Sequence, residues 1–279
     1  MGIKSLGNAN VKYKAVWKQT GLEAADRIMI WYGDRGIWGG GAAGNGSPID
    51  NIGYRSLATT GNASDFGDLT QTRLCVSGCS DSKRGLFGSG TSSNDAAAVK
   101  TIDYITISST GNASDFGDLT QKFNYGASFS DGSRGIWSTG QNQPSGAYNN
   151  NIDYVTIGTL GDAADFGDNT QSRHAATGCA NGTRGITAGG LNPSGSINVM
   201  DYITIATTGN AVDFGDLTNS PYGFGGCSST TRGVFAGGAA PGGAVNVIQY
   251  ITIATPGNAT DFGDMDSARA YGEAVSGDG

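Results

Sequence analysis

Apolar and polar residues alternate in one short phrase that returns along the chain, as IDYITI at Ile102–Ile107, IDYVTI at Ile152–Ile157, MDYITI at Met200–Ile205 and QYITI at Gln249–Ile253. β-branched and aromatic residues in strict alternation predict a half-buried strand. Around each such strand the pattern predicts three more. In the stretch from Arg173 they are expected at Arg173–Cys179, Arg184–Gly190 and Ala211–Leu217, with the alternating strand third at Val199–Ile205. The second strand opens on Arg-Gly (Arg35, Arg84, Arg134, Arg184, Arg232) and ends in glycine pairs such as Gly39-Gly40, Gly189-Gly190 and Gly237-Gly238. Paired glycines after a short apolar strand suit a tight turn, or backbone too close to a neighbour for a side chain. The linkers that follow, such as AAPGG and LNPSG, are turn-rich and vary in length, which suits binding loops.

The four pieces form one unit. GNASDFGDLT at Gly61–Thr70 recurs unchanged at Gly111–Thr120 and in altered form from Gly161, Gly209 and Gly257. Its phenylalanines stand at 66, 116, 166, 214 and 262, a step of 50, 50, 48 and 48 residues. A period near 50 with four short strands predicts an all-β array in which each unit buries its apolar face against the next. The expected fold is a β-propeller of four-stranded, roughly 48–50-residue repeats, with a β-solenoid as the alternative. Units are expected to begin near Arg27, Arg73, Lys122, Arg173 and Pro221, with one strand of a sixth from Arg269. The array is thus expected over 26–279. Residues 1–25 are expected to be an anchor or partial blade, SLGNANVKYKAVWKQ reading as a degenerate third or fourth strand.

The residues carry a resemblance as well as a period. Gly189-Gly190, Tyr154 or Tyr202, Phe166 and Arg173 match the glycine pair, third-strand Tyr, fourth-strand aromatic and following Arg of kelch repeats, with Phe where kelch usually has Trp. GNAxDFGDLT together with IDYITI and TRGVFAGG resembles repeats of structural proteins of tailed bacteriophages, particularly those infecting cyanobacteria. That resemblance implies a virion component of tail, fibre, baseplate or capsid, assembled in the host cytoplasm.

Composition narrows the chemistry. Charged residues make up 15% of the chain and the net charge is −7, so a phosphate-binding cluster is not expected beyond Lys12, Lys14 and Lys18. No apolar run reaches membrane-spanning length, and the N-terminus lacks a secretory hydrophobic stretch. The five DFG tripeptides come without a kinase's glycine-rich and HRD loops, so kinase chemistry is not expected. The paired Asp residues, Asp65/Asp68 through Asp261/Asp264, offer too few oxygens per turn for Ca²⁺ and are expected to accept backbone hydrogen bonds.

Cys79, Cys179 and Cys227 share one repeat position, filled elsewhere by Ile30 and Phe129, and are expected to be buried free thiols on separate blades. Cys75 is expected on the same strand as Cys79, facing the same side. His174, the single histidine, has no evident partner for acid–base catalysis and reads as an exposed or packed strand residue. The copper oxidases built on kelch propellers need a second histidine. The Arg-Gly arginines are expected to pair with repeat aspartates. Trp38, Phe87, Trp137 and Phe235 are expected to pack blade to blade.

The functional expectation is a non-catalytic virion protein mediating host-surface attachment or contacts between virion proteins. It is expected to have no cofactor, no metal and no catalytic residue. Its partners would be other virion proteins and host glycan, within an oligomeric assembly and without nucleic acid or membrane insertion. The loop expected to bind carries Gln141, Asn142, Gln143, Tyr148, Asn149 and Asn150. The alternatives are a propeller-type polysaccharide hydrolase or lyase, or an intracellular kelch-type adaptor.

Overall fold

The computed structural model describes residues 35–44, 46–92, 98–142, 145–272 and 274. The expectations for residues 1–25, Arg27, Ile30, Gln143 and the segment beyond Tyr271 fall wholly or largely outside these. The described residues contain no helix. Five antiparallel sheets form the blades of a β-propeller, so the parallel coils of a solenoid are absent.

The fourth blade is Thr177–Ala180, Arg184–Ala188, Val199–Thr204 and Val212–Asp216, hydrogen-bonded in that order. Blades two (Ser77–Ser80, Arg84–Gly88, Thr101–Thr106, Ser114–Asp118), three (Ala127–Ser130, Arg134–Gln141, Tyr148–Thr156, Ala164–Asp168) and five (Gly225–Ser228, Arg232–Ala236, Val247–Thr252, Thr260–Asp264) repeat it. Blade one has three strands among the described residues, Arg35–Gly39, Asn51–Ser56 and Ser64–Asp68. The first strand starts later than expected, at Thr177 rather than Arg173, because Ala175 adopts φ +53° and breaks the extended run. Cys75 does the same at φ +56°, so Cys75 and Cys79 do not share a strand as expected.

DFGD is a strand, and it carries a bulge. Ile102 faces Gly117 while Asp103 faces Asp115, which leaves Phe116 as the extra residue. The inserted residue bends the strand and turns the phenylalanine into the gap between blades. There Phe116 packs with Leu86, Trp137 and Val155 of its own and the following blade. Equivalent clusters join blades one and two, three and four, and four and five. The third-strand tyrosines meet these phenylalanines edge-on, as Tyr154 does Phe166 at 5.7 Å and 86°.

Polar contacts repeat at every junction. Gly161 N donates to Phe116 O at 2.9 Å, Ala163 N donates to Asp118 O at 2.8 Å, and Asp162 Oδ1 accepts from Asp118 N at 3.0 Å. The equivalents from Gly111, Gly209 and Gly257 fall within 2.7–3.1 Å. A Cβ on Gly117 would lie 2.5 Å from the Gly161 carbonyl, which is why glycine stands there.

The Arg-Gly arginines do not pair with aspartate. Arg35, Arg84, Arg134 and Arg184 donate to the next blade's Ile107, Ile157, Ile205 and Ile253 carbonyls at 2.7–3.1 Å. Each also lies over its own blade's tyrosine, 4.7–5.3 Å from the ring centre. The buried ion pairs use other residues, Arg73 with Asp103 at 2.6 Å and Arg173 with Asp201, all four side chains closed to solvent.

Candidate functional site

At the end of each fourth strand the chain crosses to the next blade by a fixed route. Thr70 donates its amide and hydroxyl to Asp103, as Thr170 does to Asp201. Past the following arginine position, a glycine after the second strand's apolar residues reaches across. Gly90 donates to Phe123 O, Gly140 to Arg173 O, Gly190 to Pro221 O and Gly238 to Arg269 O, all at 2.8–3.0 Å. The next residue exchanges backbone bonds with the post-glycine segment, His174 with Leu191 and Tyr222 with Ala239.

The residue after that turns left-handed in every unit: Cys75, Tyr125, Ala175, Gly223 and Tyr271, with φ between 52° and 59°. Four of them are linked in sequence by three bonds, Ala175 N to Tyr125 O, Gly223 N to Ala175 O and Tyr271 N to Gly223 O, at 2.6–2.9 Å. Five equivalent positions with successive links place this series around the propeller axis. Cys75, Tyr125, Ala175 and Tyr271 line a half-open depression of about 490 Å³ with His174, Leu191 and Tyr222.

Among the described residues the lining is largely aromatic and carries no carboxylate, lysine or arginine. Tyr125 and Tyr148 flank His174 at 6.0 and 4.5 Å, and Tyr222 meets Tyr271 edge-on at 6.4 Å. Burial pushes the His174 imidazole below its ordinary range, and its Nδ1 is enclosed with no hydrogen-bond partner. A hydrogen bond with Cys75 raises the Tyr125 hydroxyl to about 12, with burial adding to it. The thiol of Cys75 is raised by burial. These groups are neutral near pH 7, and their ring faces and hydroxyls suit stacking and hydrogen bonding to a neutral ligand.

The loop expected to bind is shorter than 141–150. Gln141 closes one strand and Tyr148 opens the next. Asn149 is buried and donates to Asn142 Oδ1 at 3.2 Å, while Asn150 is fixed against Asn169. Gln143 lies outside the described residues. Of the expected set, Tyr148 alone joins the aromatic group at the axis, through His174. His174 lies outside the strand in which it was expected and packs between Tyr125 and Tyr148 in this lining.

The aspartates of DFGD act mostly through backbone. Asp165, Asp213 and Asp261 accept from the glycine two residues on at 3.1–3.3 Å, and Asp118 pairs with Lys100 at 2.9 Å. Among the described residues no three His, Cys, Asp or Glu side chains gather as a metal-binding group. The four cysteines are free. Tyr125, Tyr222 and Tyr271 escaped the sequence reading because their repeat positions also hold Cys, Ala, Leu, His and Gly, so no aromatic period marks them.

No protein-family model matches the chain, and no curated protein sequence matches it.

Proposed function

We propose that this chain is a non-catalytic virion component of a tailed bacteriophage that binds neutral glycan at its axial depression. The observation that carries the binding reading is the lining itself: tyrosines and a neutral histidine, with no carboxylate among the described residues that form it. Sugar rings present apolar faces that stack on tyrosine, and their hydroxyls match Tyr OH and imidazole nitrogen. Glycoside hydrolysis needs two carboxyl groups flanking the scissile bond, which favours binding over the hydrolase reading. The virion assignment rests on the resemblance of GNAxDFGDLT, IDYITI and TRGVFAGG to phage structural repeats.

Two experiments test the two halves. Immunogold labelling of purified particles should place the chain on the virion, and absence from particles would end that assignment. A glycan array should return neutral sugars with the wild-type chain and weaker signals for the same sugars with Tyr148→Ala. Depolymerisation of a polysaccharide by the purified protein would replace binding with catalysis.

A further inference from the structure

The turns that join the first and second strands of blades two to five share one geometry and differ in chemistry. Asp131 Oδ1 accepts from Ser133 N at 2.8 Å and Arg134 N at 2.7 Å. Asn181 Oδ1 accepts from Thr183 N at 3.2 Å and Arg184 N at 2.9 Å. Ser229 Oγ accepts from Thr231 N at 3.3 Å and Arg232 N at 3.1 Å, and Asp81 is bonded likewise to Lys83 N and Arg84 N. The residue after the acceptor is Ser82, Gly132, Gly182 and Thr230 in turn. Among these four turns, only that of blade four joins a side-chain amide to a glycine.

Such a pair is chemically labile. The glycine nitrogen can close a five-membered ring on the amide carbon, and no Cβ hinders its approach. The turn adds three features. The two backbone amides fix Oδ1, the oxygen on which charge develops as the carbon becomes tetrahedral. They leave Nδ2 facing the next blade, where it donates to Thr230 O at 3.3 Å. That carbonyl favours positive charge on the nitrogen as it departs. Gly182 itself is exposed, with φ +80°, and its amide donates to nothing among the described residues.

We propose that Asn181 is a site of spontaneous deamidation, with water as the co-reactant. Hydroxide removes the Gly182 amide proton, and the nitrogen attacks Asn181 Cγ to form a C–N bond. The Cγ–Nδ2 bond breaks, the nitrogen leaves as ammonia after taking a proton from water, and a cyclic imide remains. Water then adds to either imide carbonyl and opens the ring. One opening gives aspartate, and the other gives isoaspartate, whose main chain runs through the side-chain carbon. Nothing is oxidised or reduced, and one water is exchanged for one ammonia.

The products act on the junction between blades four and five. Aspartate keeps the turn, as Asp81 and Asp131 do in theirs, but sets a carboxylate oxygen against Thr230 O in place of a donor. Isoaspartate also lengthens the main chain by one atom, against the closure of Asn181 N on Arg184 O at 3.1 Å. Two residues earlier, Cys179 presses on Gly233 of blade five. The turn and Ala175 lie at opposite ends of Thr177–Ala180, so the change falls away from the axial depression.

Incubation of the full-length chain in heavy-oxygen water at mildly alkaline pH tests this. Peptide mapping should find one heavy oxygen in the peptide that carries Asn181, in separable aspartate and isoaspartate forms. The rate should be comparable to that of the urea-unfolded chain. Gly182→Ser copies the residue that blade two places in this turn, and it should slow conversion by about tenfold or more. Asn181→Asp should speed alkylation of Cys179 in the folded protein by about fivefold, the share of one lost hydrogen bond, and leave Cys79 unchanged. An Asn181 that stays intact when folded while the unfolded chain converts would overturn the proposal, as would equal rates with Gly182→Ser. A Cys179 rate unmoved by Asn181→Asp would overturn its effect on the junction.

Discussion

Phe123 occupies in blade three the place that Arg73 and Arg173 hold in blades two and four, so the buried carboxylate of Asp153 meets no arginine. Burial pushes both Asp153 and Asp201 above the ordinary carboxylate range. At Asp201 the Arg173 guanidinium acts against it, and at Asp153 only hydrogen bonds from Thr120 and Asn151 do. Blade five resolves the same conflict with neutral Gln249 beside Pro221. A carboxyl raised in the folded state binds its proton more tightly there than in the unfolded chain. Its stabilisation is therefore present below the ordinary carboxylate range and is lost as pH rises through the folded value. Asp153→Asn should raise the melting temperature near pH 7 and have little effect near pH 3. A loss near pH 7 that disappears near pH 3 would show instead that the ionised carboxylate is needed.

Arg173→Ala should behave in the opposite way. It leaves Asp201 buried without its cation, which costs about 3–5 kcal/mol. The double substitution Arg173→Met with Asp201→Leu should recover much of that loss, as read by urea denaturation. A loss below about 1 kcal/mol for Arg173→Ala would mean that the pair contributes nothing.

Gly117→Ala places a methyl group 2.5 Å from the Gly161 carbonyl at a φ of 145°. Overpacking and backbone strain together should cost about 2 kcal/mol or more. Gly111→Ala is the control, since its φ of 154° is equally demanding but nothing lies within 4 Å. Comparable melting temperatures for the two variants would refute a close approach of the blades.

The thiols should react in an order set by packing. Cys79 and Cys179 press against Gly135 and Gly233 of the following blades, and burial raises both thiols far above their ordinary range. Cys227 occupies the same slot on blade five, where no following Arg-Gly strand is present among the described residues. Alkylation of the folded protein should therefore label Cys227 well before Cys79 or Cys179, and denaturation should expose all four without reductant. Uniform rates in the folded state would contradict the packing.

Tyr148→Ala and Tyr271→Ala should each weaken glycan binding by about 0.5–1.5 kcal/mol without shifting the melting temperature. Acid should act on the same site. Burial holds the folded His174 imidazole neutral through its ordinary range, so protonation reaches the site only at more acidic pH. Binding should weaken only below the ordinary imidazole range, and His174→Gln should flatten that dependence. A pH-independent affinity in the wild-type chain would remove His174 from the site.

Much of this architecture could be read from the residues. IDYITI declared its strand by alternation, and Trp137 and Phe235 declared a blade-to-blade core by their place before the glycines. Trp38, at the same position, is 55% exposed because no preceding blade covers it among the described residues. The arginines were harder. Sequence shows that five arginines and ten aspartates recur, but a carbonyl on the next blade is invisible to a count of charges. The axial site was hardest, because its aromatic residues share repeat positions with small ones and only the ring geometry brings them together.

The left-handed series Cys75, Tyr125, Ala175, Gly223 and Tyr271 has a consequence for how such a protein changes over time. Each member holds the same left-handed turn, and Cys75, Tyr125, Ala175 and Tyr271 present their side chains to the axial depression. Ligand preference can therefore drift at these places while the backbone turn is kept, one substitution at a time, much as interchangeable teeth sit in a fixed gear. The repeated decapeptides keep the frame uniform, and the axis is where descendants of one sequence are free to become different.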